Sequence, residues 1–329
     1  MDALVGVLDV ALVASTIRLF TPILLAGLGG LVTARVGIFN IALEGLMLFG
    51  AFFAVVGTAW TGQPLVGLVF AVVAAVLVSL IFAVVVVDLG GDAIVAGLAV
   101  NMLALGATTY LMLPLFGVEG SFYDPTLQRL PQVTIPVVGA MPIVGSLLSG
   151  YSILVYVAFA LVVVLQVLLF RHPLGIRIRA VGEQPLAAAS VGVSVRGLRY
   201  LAIVVCGIMC GLAGAELSIS LVTQFVIGMT AGRGFIALVA VMFGRAHPLG
   251  VLAASLIFGF MYALTLRLQG AGSAPQFVAM LPYLVTIAVL VAVAIRQRRA
   301  QANRARTAID DQAGIGPPAV VGSAGVPPP

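Results

Sequence analysis

Residues 64–87 read PLVGLVFAVVAAVLVSLIFAVVVV. Apart from Ser79, no side chain in the run can hydrogen-bond, and none is charged. As a helix, a run of this length rises about 36 Å, more than the roughly 30 Å of hydrocarbon in a bilayer. Asp88, Gly90, Gly91 and Asp92 then mark a turn, and a second apolar block covers residues 93–116. Similar blocks recur along the chain. Nine spans are read at 12–34, 40–60, 64–87, 93–116, 151–170, 200–220, 228–244, 248–268 and 276–295. The count ranges from eight to ten, because Arg18 interrupts the first span and the seventh is short and punctuated by glycine. The fold class expected is all-α, a polytopic transmembrane helix bundle occupying residues 1–295. It has an outer loop at 117–150 and a cytoplasmic loop at 171–199. Residues 296–329, basic and then rich in Gly and Pro, are expected to form a disordered cytoplasmic tail.

Composition excludes a soluble fold. The chain has 329 residues, 62% hydrophobic and 8% charged, with mean hydropathy +1.24. Soluble domains carry roughly 25% charged residues. All 16 basic residues are arginine, and there is no lysine. A phosphate-binding loop of the form G-x-x-x-x-G-K-[ST] needs its lysine, so any ATP that drives this protein binds another chain. The net charge of +5 sits at the ends of apolar spans, where it sets topology rather than binding nucleic acid. Met1-Asp2-Ala3-Leu4 lacks the basic start of a cleavable signal, so the first span is expected to stay.

Arginine placement gives an orientation. With residues 171–199 and the tail inside, Arg35, Arg171, Arg177, Arg179, Arg196, Arg199, Arg245 and the five tail arginines all face the cytoplasm. Only Arg18, Arg129, Arg233 and Arg267 fall on the other side. The expectation is N-terminus out and C-terminus in. The run Thr33-Ala34-Arg35-Val36-Gly37-Ile38-Phe39 also resembles Thr230-Ala231-Gly232-Arg233-Gly234-Phe235. In this topology the two copies start on opposite sides, the pattern of an inverted repeat. Chance similarity between apolar segments is the competing reading.

No catalytic constellation is visible. His172 and His247 each precede a proline at a span end, and no G-x-S-x-G, H-E-x-x-H or C-x-x-C occurs. Cys206 and Cys210 share a helix face and read as packing residues, so no metal or cofactor is expected. The informative groups are polar residues in apolar blocks, which line a pathway, pair, or sit near an interface. Asn40 and Glu44 lie on one face of span two, and Asn101 lies in span four. Pathway lining and helix-to-helix hydrogen bonding are both open for them. Glu216 and Arg233 are expected to form a structural ion pair near the outer face.

The loop at 171–199 is the most specific feature. Gln184-Pro185 starts a short helix, Leu186, Ala187, Ala188, Ala189 and Ser190 continue it, and Gly192 stops it. The helix either joins two spans or docks a cytoplasmic motor.

The stretch from Gly175-Ile176-Arg177 through Gly182-Glu183-Gln184-Pro185, Ala187-Ala188-Ala189 and Gly192-Val193 resembles the coupling-helix loop of ABC importer permeases of the branched-chain amino acid/ribose/nucleoside superfamily. Thr21-Pro22 through Asn40-Ile41-Ala42-Leu43-Glu44-Gly45, Gly207 through Gly214-Ala215, and Gly232-Arg233-Gly234-Phe235 through Gly244-Arg245 are similar to the same superfamily, most like its nucleoside branch. The resemblance spans residues 18–295. It implies a type II-like permease in a bacterial inner membrane, one half of a nucleoside pathway. Its partners would be a second permease, a cytoplasmic ATPase that binds the ATP, and an extracytoplasmic binding (lipo)protein. Glu183, Gln184, Pro185, Ala187, Ala188, Ala189 and Gly192 would dock the ATPase. The alternatives are a permease for ribose-type sugars or branched-chain amino acids, and a proton-coupled secondary transporter using Glu44 or Glu216.

Overall fold

The computed structural model describes residues 10–134 and 149–270, together with Leu284, Val291 and Ile295 singly. Those three are helical and belong to a second unit, residues 283–329. Apart from those three residues, the ninth expected span and the tail therefore lie outside the described residues, as do residues 135–148.

Seven of the described helices are long and apolar enough to cross a membrane. Helix α1 is Val10–Arg35, and α2 is Leu43–Thr61. Helix α3, Pro64–Ala83, continues as a π-helical stretch, Val84–Asp88. Helix α4, Ala93–Phe116, begins where the Asp92 carboxylate accepts from the amides of Ile94 and Val95. That is the use of aspartate at an N-cap, which satisfies amides the helix leaves open. Helix α5 is Ile153–Arg171. Two short helices follow, α6 (Pro173–Glu183) and α7 (Pro185–Ser190). Helix α8, Val195–Ala215, runs on as a π-helical stretch, Glu216–Val222. Helix α9 is only Arg233–Phe243, and α10 is Pro248–Gly270.

Short ladders form beyond the ends of α4 and α8. Strand β1 (Ser121–Tyr123) pairs antiparallel with β4 (Gln224–Val226), with Phe122 opposite Phe225. Strand β2 (Gln132–Val133) pairs with β3 (Tyr151–Ser152). They tie the loop after α4 to the start of α5 and to the segment after α8.

Helices α2 and α8 form the centre. Each is 78% buried across its span, against 28% for α4 and 33% for α3 and α5. Lipid solvates leucine as well as another helix does, so helices meet in membranes through close packing of small residues. Gly207, Gly211 and Gly214 of α8 do this, the first two against Ser79, Ala71 and Val72 of α3 and the last against Met47 and Ala51 of α2. Gly50 of α2 lies against Gly211.

Two expectations change. The segment at 171–199 is not one loop with one helix: it holds both α6 and α7, and α8 already begins at Val195. The seventh span is not a full helix. Residues 227–232 are turns, and the 11-residue α9 rises about 16 Å, half of a bilayer core.

Residues 36–42 are likewise non-helical. Asn40 reaches Cys206, eleven residues into α8, so it lies about 16 Å along that helix from its start. Thus α2 begins inside the bundle rather than at its face. The two interrupted stretches, 36–42 before α2 and 227–232 before α9, overlap the similar runs 33–39 and 230–235 only in part. Their helices start from a shared interior junction, where Glu44 meets Gly232 and Gly234.

Candidate functional site

The interior junction is built from helix starts. The first amides of a helix lack intrahelical acceptors and carry partial positive charge. At the start of α2, Gly45 N donates to Asn101 Oδ1 at 2.8 Å, and Asn101 Nδ2 donates to Ile41 O at 3.0 Å. One amide from α4 thus holds both the interrupted stretch and the helix after it. Asn40 Oδ1 accepts from Ala42 N at 2.9 Å, and its Nδ2 donates to Cys206 Sγ at 3.4 Å. Glu44 serves the other helix. Its Oε1 accepts from Gly232 N at 2.8 Å and its Oε2 from Gly234 N at 2.6 Å. A charged acceptor shared by two amides at a helix N-terminus is among the stronger hydrogen-bond arrangements. Gly234 has to be glycine here, because a Cβ would lie 2.5 Å from Glu44 Cα.

Of the two readings open for Asn40, Glu44 and Asn101, the geometry displays helix-to-helix hydrogen bonding in all three. Asn40 is buried, whereas Glu44 and Asn101 are half-buried.

The expected Glu216–Arg233 ion pair is not formed. Arg233 Nη1 donates to the carbonyls of Met229 (3.0 Å) and Thr230 (3.2 Å), and its guanidinium lies 5.1 Å from the Tyr262 ring centre. Glu216, 1% exposed, accepts from Ser152 Oγ at 2.7 Å and from the Ser220 hydroxyl. The two residues part because α9 starts at the interior junction and takes Arg233 there, while Glu216 remains beside β3. A polar cavity of about 60 Å³ adjoins Glu216, lined also by Arg18, Arg129 and Gln132. Arg129 Nε donates to Thr223 Oγ1 at 2.8 Å. In the loop after α4, the Asp124 carboxyl is held below its usual range by the hydroxyl and amide of Thr126.

At the opposite end, α6 and α7 form an exposed hairpin. Pro173 and Pro185 occupy first helical positions, His172 Nδ1 accepts from Leu174 N, and Gly192 ends α7 with φ +82°. Leu186 is 85% exposed and Val191 77%. Glu183, Gln184, Ala187, Ala189 and Gly192 are exposed and Pro185 is half-buried, but Ala188 is buried and faces the bundle. A cavity of about 360 Å³ opens beside the hairpin, lined by Leu174, Arg177, Val191, Val193, Ser194 and Leu198. Next to it, Arg196 grips Asp88 through two hydrogen bonds of 2.7 and 2.9 Å, and the Tyr200 hydroxyl donates to the same carboxylate at 2.6 Å. The Arg196 side chain is 72% exposed, so solvent screens the pair, yet it ties the end of α3 to the start of α8.

Leu186 and Val191, the most exposed apolar side chains of the hairpin, are not among the residues singled out from the sequence. The signal available was two large apolar side chains beside a proline-started, glycine-stopped helix.

A bundle of membrane-crossing helices, with interrupted stretches meeting in its interior and an exposed hairpin at one end, is the build of a membrane transport component. The chain belongs to the family described as Branched-chain amino acid transport system / permease component, whose model matches residues 12–293. It is 35% identical over 303 residues to the guanosine ABC transporter permease protein NupQ of Bacillus subtilis, covering 89% of this chain and 94% of that one. It is 34% identical over 309 residues to the putative glucose ABC transporter permease protein TsgC13 of Haloferax volcanii, covering 87% and 92%. It is 30% identical over 290 residues to the nucleoside ABC transporter permease protein NupC of Lactococcus lactis, covering 85% and 90%. No solved structure matches it. The protein is thus a multi-pass membrane permease, and the relatives are transport components rather than enzymes.

Proposed function

We propose that this chain forms half of the translocation pathway of an ABC importer for nucleosides. The observation that carries this reading is the 35% identity to a guanosine permease across nearly its whole length. ATP is bound and hydrolysed by a partner ATPase, since a chain without lysine has no phosphate-binding loop. Helix α7 docks that ATPase, with Leu186 and Val191 as apolar contacts. A second permease completes the pathway and an extracytoplasmic binding protein delivers the substrate. The N-terminus lies outside and residues 171–199 inside. In support, Arg35, Arg179 and the Arg245 backbone gather at one end of the bundle, and Arg18 and Arg129 at the other.

The similarity to a glucose permease keeps a sugar as the second reading. Both substrates are uncharged. The exposed amides at the start of α9, where an anionic substrate group is held in other transporters, are already taken by Glu44.

Uptake of labelled guanosine and glucose in a deletion strain, with and without this gene, decides the substrate. Restored guanosine uptake that competes with other nucleosides supports the proposal, and restored glucose uptake alone overturns it. Uptake in vesicles should require ATP and survive an uncoupler. Collapse on adding the uncoupler would point to proton coupling instead. For docking, Leu186→Arg with Val191→Glu should abolish copurification of the ATPase while the permease still inserts.

A further inference from the structure

The docking hairpin meets the bundle backbone to backbone at two places, Gly175 against the end of α5 and Gly182 against the turn after α1. Gly182, in the last turn of α6, lies so close to Arg35 that a methyl group there would collide with the Arg35 carbonyl oxygen and come within 3.2 Å of Gly37 N. Gly37, at φ +82°, lies against the Gly182 carbonyl in return. The contact is reinforced from both sides. Arg35 of α1 donates to Ala246 O at 2.6 Å and lies 5.4 Å from the Phe170 ring centre, and Arg179 of α6 lies 5.2 Å from the same ring. Any displacement of α6 therefore bears on the turn at Arg35 and Gly37.

That turn leads straight into the non-helical stretch at 36–42 and on to Glu44, which holds the start of α9. Helix α9 packs on α1 and α2 but is set off from its chain neighbours by strained joints. Among the described residues, four other than glycine have positive φ: Thr223 (53°), Ala231 (45°), Arg245 (51°) and Ala246 (48°). All four lie between α8 and α10, and three of them directly flank α9. Side chains rarely adopt this conformation, and it persists only where the surrounding structure imposes it, as in ligand clamps and switch regions. A short helix with a strained joint at each end can swing as a rigid piece, which a continuous helix cannot.

We propose that Glu44 is a positioning residue of the transport cycle. It latches α9 to the start of α2, and movement of the docking hairpin, passed through Gly182 to Gly37, swings the latched pair. This rests on the reading of α7 as the ATPase-docking helix.

The test uses the complete importer in proteoliposomes, with Cys206→Ala and Cys210→Ala and a single reporter, Met229→Cys. The rate of thiol modification at position 229 is measured without nucleotide and after trapping with ATP and vanadate. The latch predicts a change of at least about fivefold between the two states. Glu44→Gln, which turns one acceptor into a donor facing a backbone amide, should cut uptake at least about tenfold and flatten that difference, at normal complex yield by gel filtration. Gly182→Ala touches neither Glu44 nor α9, and should flatten the difference while the ATPase still copurifies. It serves where Glu44→Gln assembles poorly. A reporter indifferent to nucleotide in the unaltered importer, or wild-type uptake in both variants, overturns the latch. The docking reading fails separately, by retention of the ATPase in the Leu186→Arg, Val191→Glu protein. A nucleotide-dependent reporter that Glu44→Gln flattens would still support the latch in that case.

Discussion

At Glu216 a carboxylate enclosed among helices is satisfied by hydroxyls, and this fixes what each replacement does. Glutamine at 216 can still accept from one serine and donate to the other, so Glu216→Gln should assemble near the normal level. Glu216→Leu leaves two hydroxyls without their acceptor, at about 1–3 kcal/mol for each buried group, and should lower the yield of folded permease on gel filtration. Exchanging charges between 216 and 233 should rescue nothing, because the two residues hold different partners. Recovery of yield in the exchange would contradict this account. Cys206 and Cys210 are fully buried, with sulfurs 4.0 Å apart. Maleimide should leave both unmodified in native micelles and label both after denaturation; rapid native labelling would mean that α8 is not central. The sequence showed that Asn40, Glu44, Asn101 and Glu216 were special, since each is a polar group in an apolar block. It did not show their partners. Asn101 bonds across 56 residues and Glu44 across 188, and no local pattern encodes a distance of that kind.

At the scale of elements, the spans were legible where a run is long and bounded by turn residues. The block at 93–116 is helical between those same residues, and α3 begins at the predicted proline. Helix α6 was not legible, because Gly175 and Gly182 depress helix propensity and their packing reason lies elsewhere in the chain: Gly182 abuts Arg35, and Gly175 abuts the end of α5. Helix α9 was read as too long because turns at 227–232 are as apolar as a span. Orientation is testable on these elements. On a background lacking Cys206 and Cys210, an impermeant thiol reagent added outside should reach a cysteine at Tyr123 and fail at Ser194; the reverse would invert every assignment of side. On the proposed reading, the ladders of the loop after α4 face the binding protein. Glu119 and Asp124 are the acidic groups of that loop, whereas Arg129 is engaged with Thr223. Charge reversal at Glu119 and Asp124 should weaken stimulation of ATP hydrolysis by the binding protein at low salt. Unchanged stimulation would leave the loop a structural cover.

For the molecule as a whole, the central pair α2 and α8 has a consequence for biosynthesis. Gly50 and Gly211 touch, yet 161 residues separate them in the chain. At about 5–20 residues per second, a ribosome needs on the order of ten seconds or more to reach α8 after completing α2. During that interval the small residues of α1, α2 and α3 that α8 covers, Gly29, Gly50 and Ala71, have no partner from their own chain on that side. A nascent permease is therefore vulnerable to membrane proteases until α8 inserts, and chains truncated after α5 should be degraded quickly, whereas those extending past α10 persist.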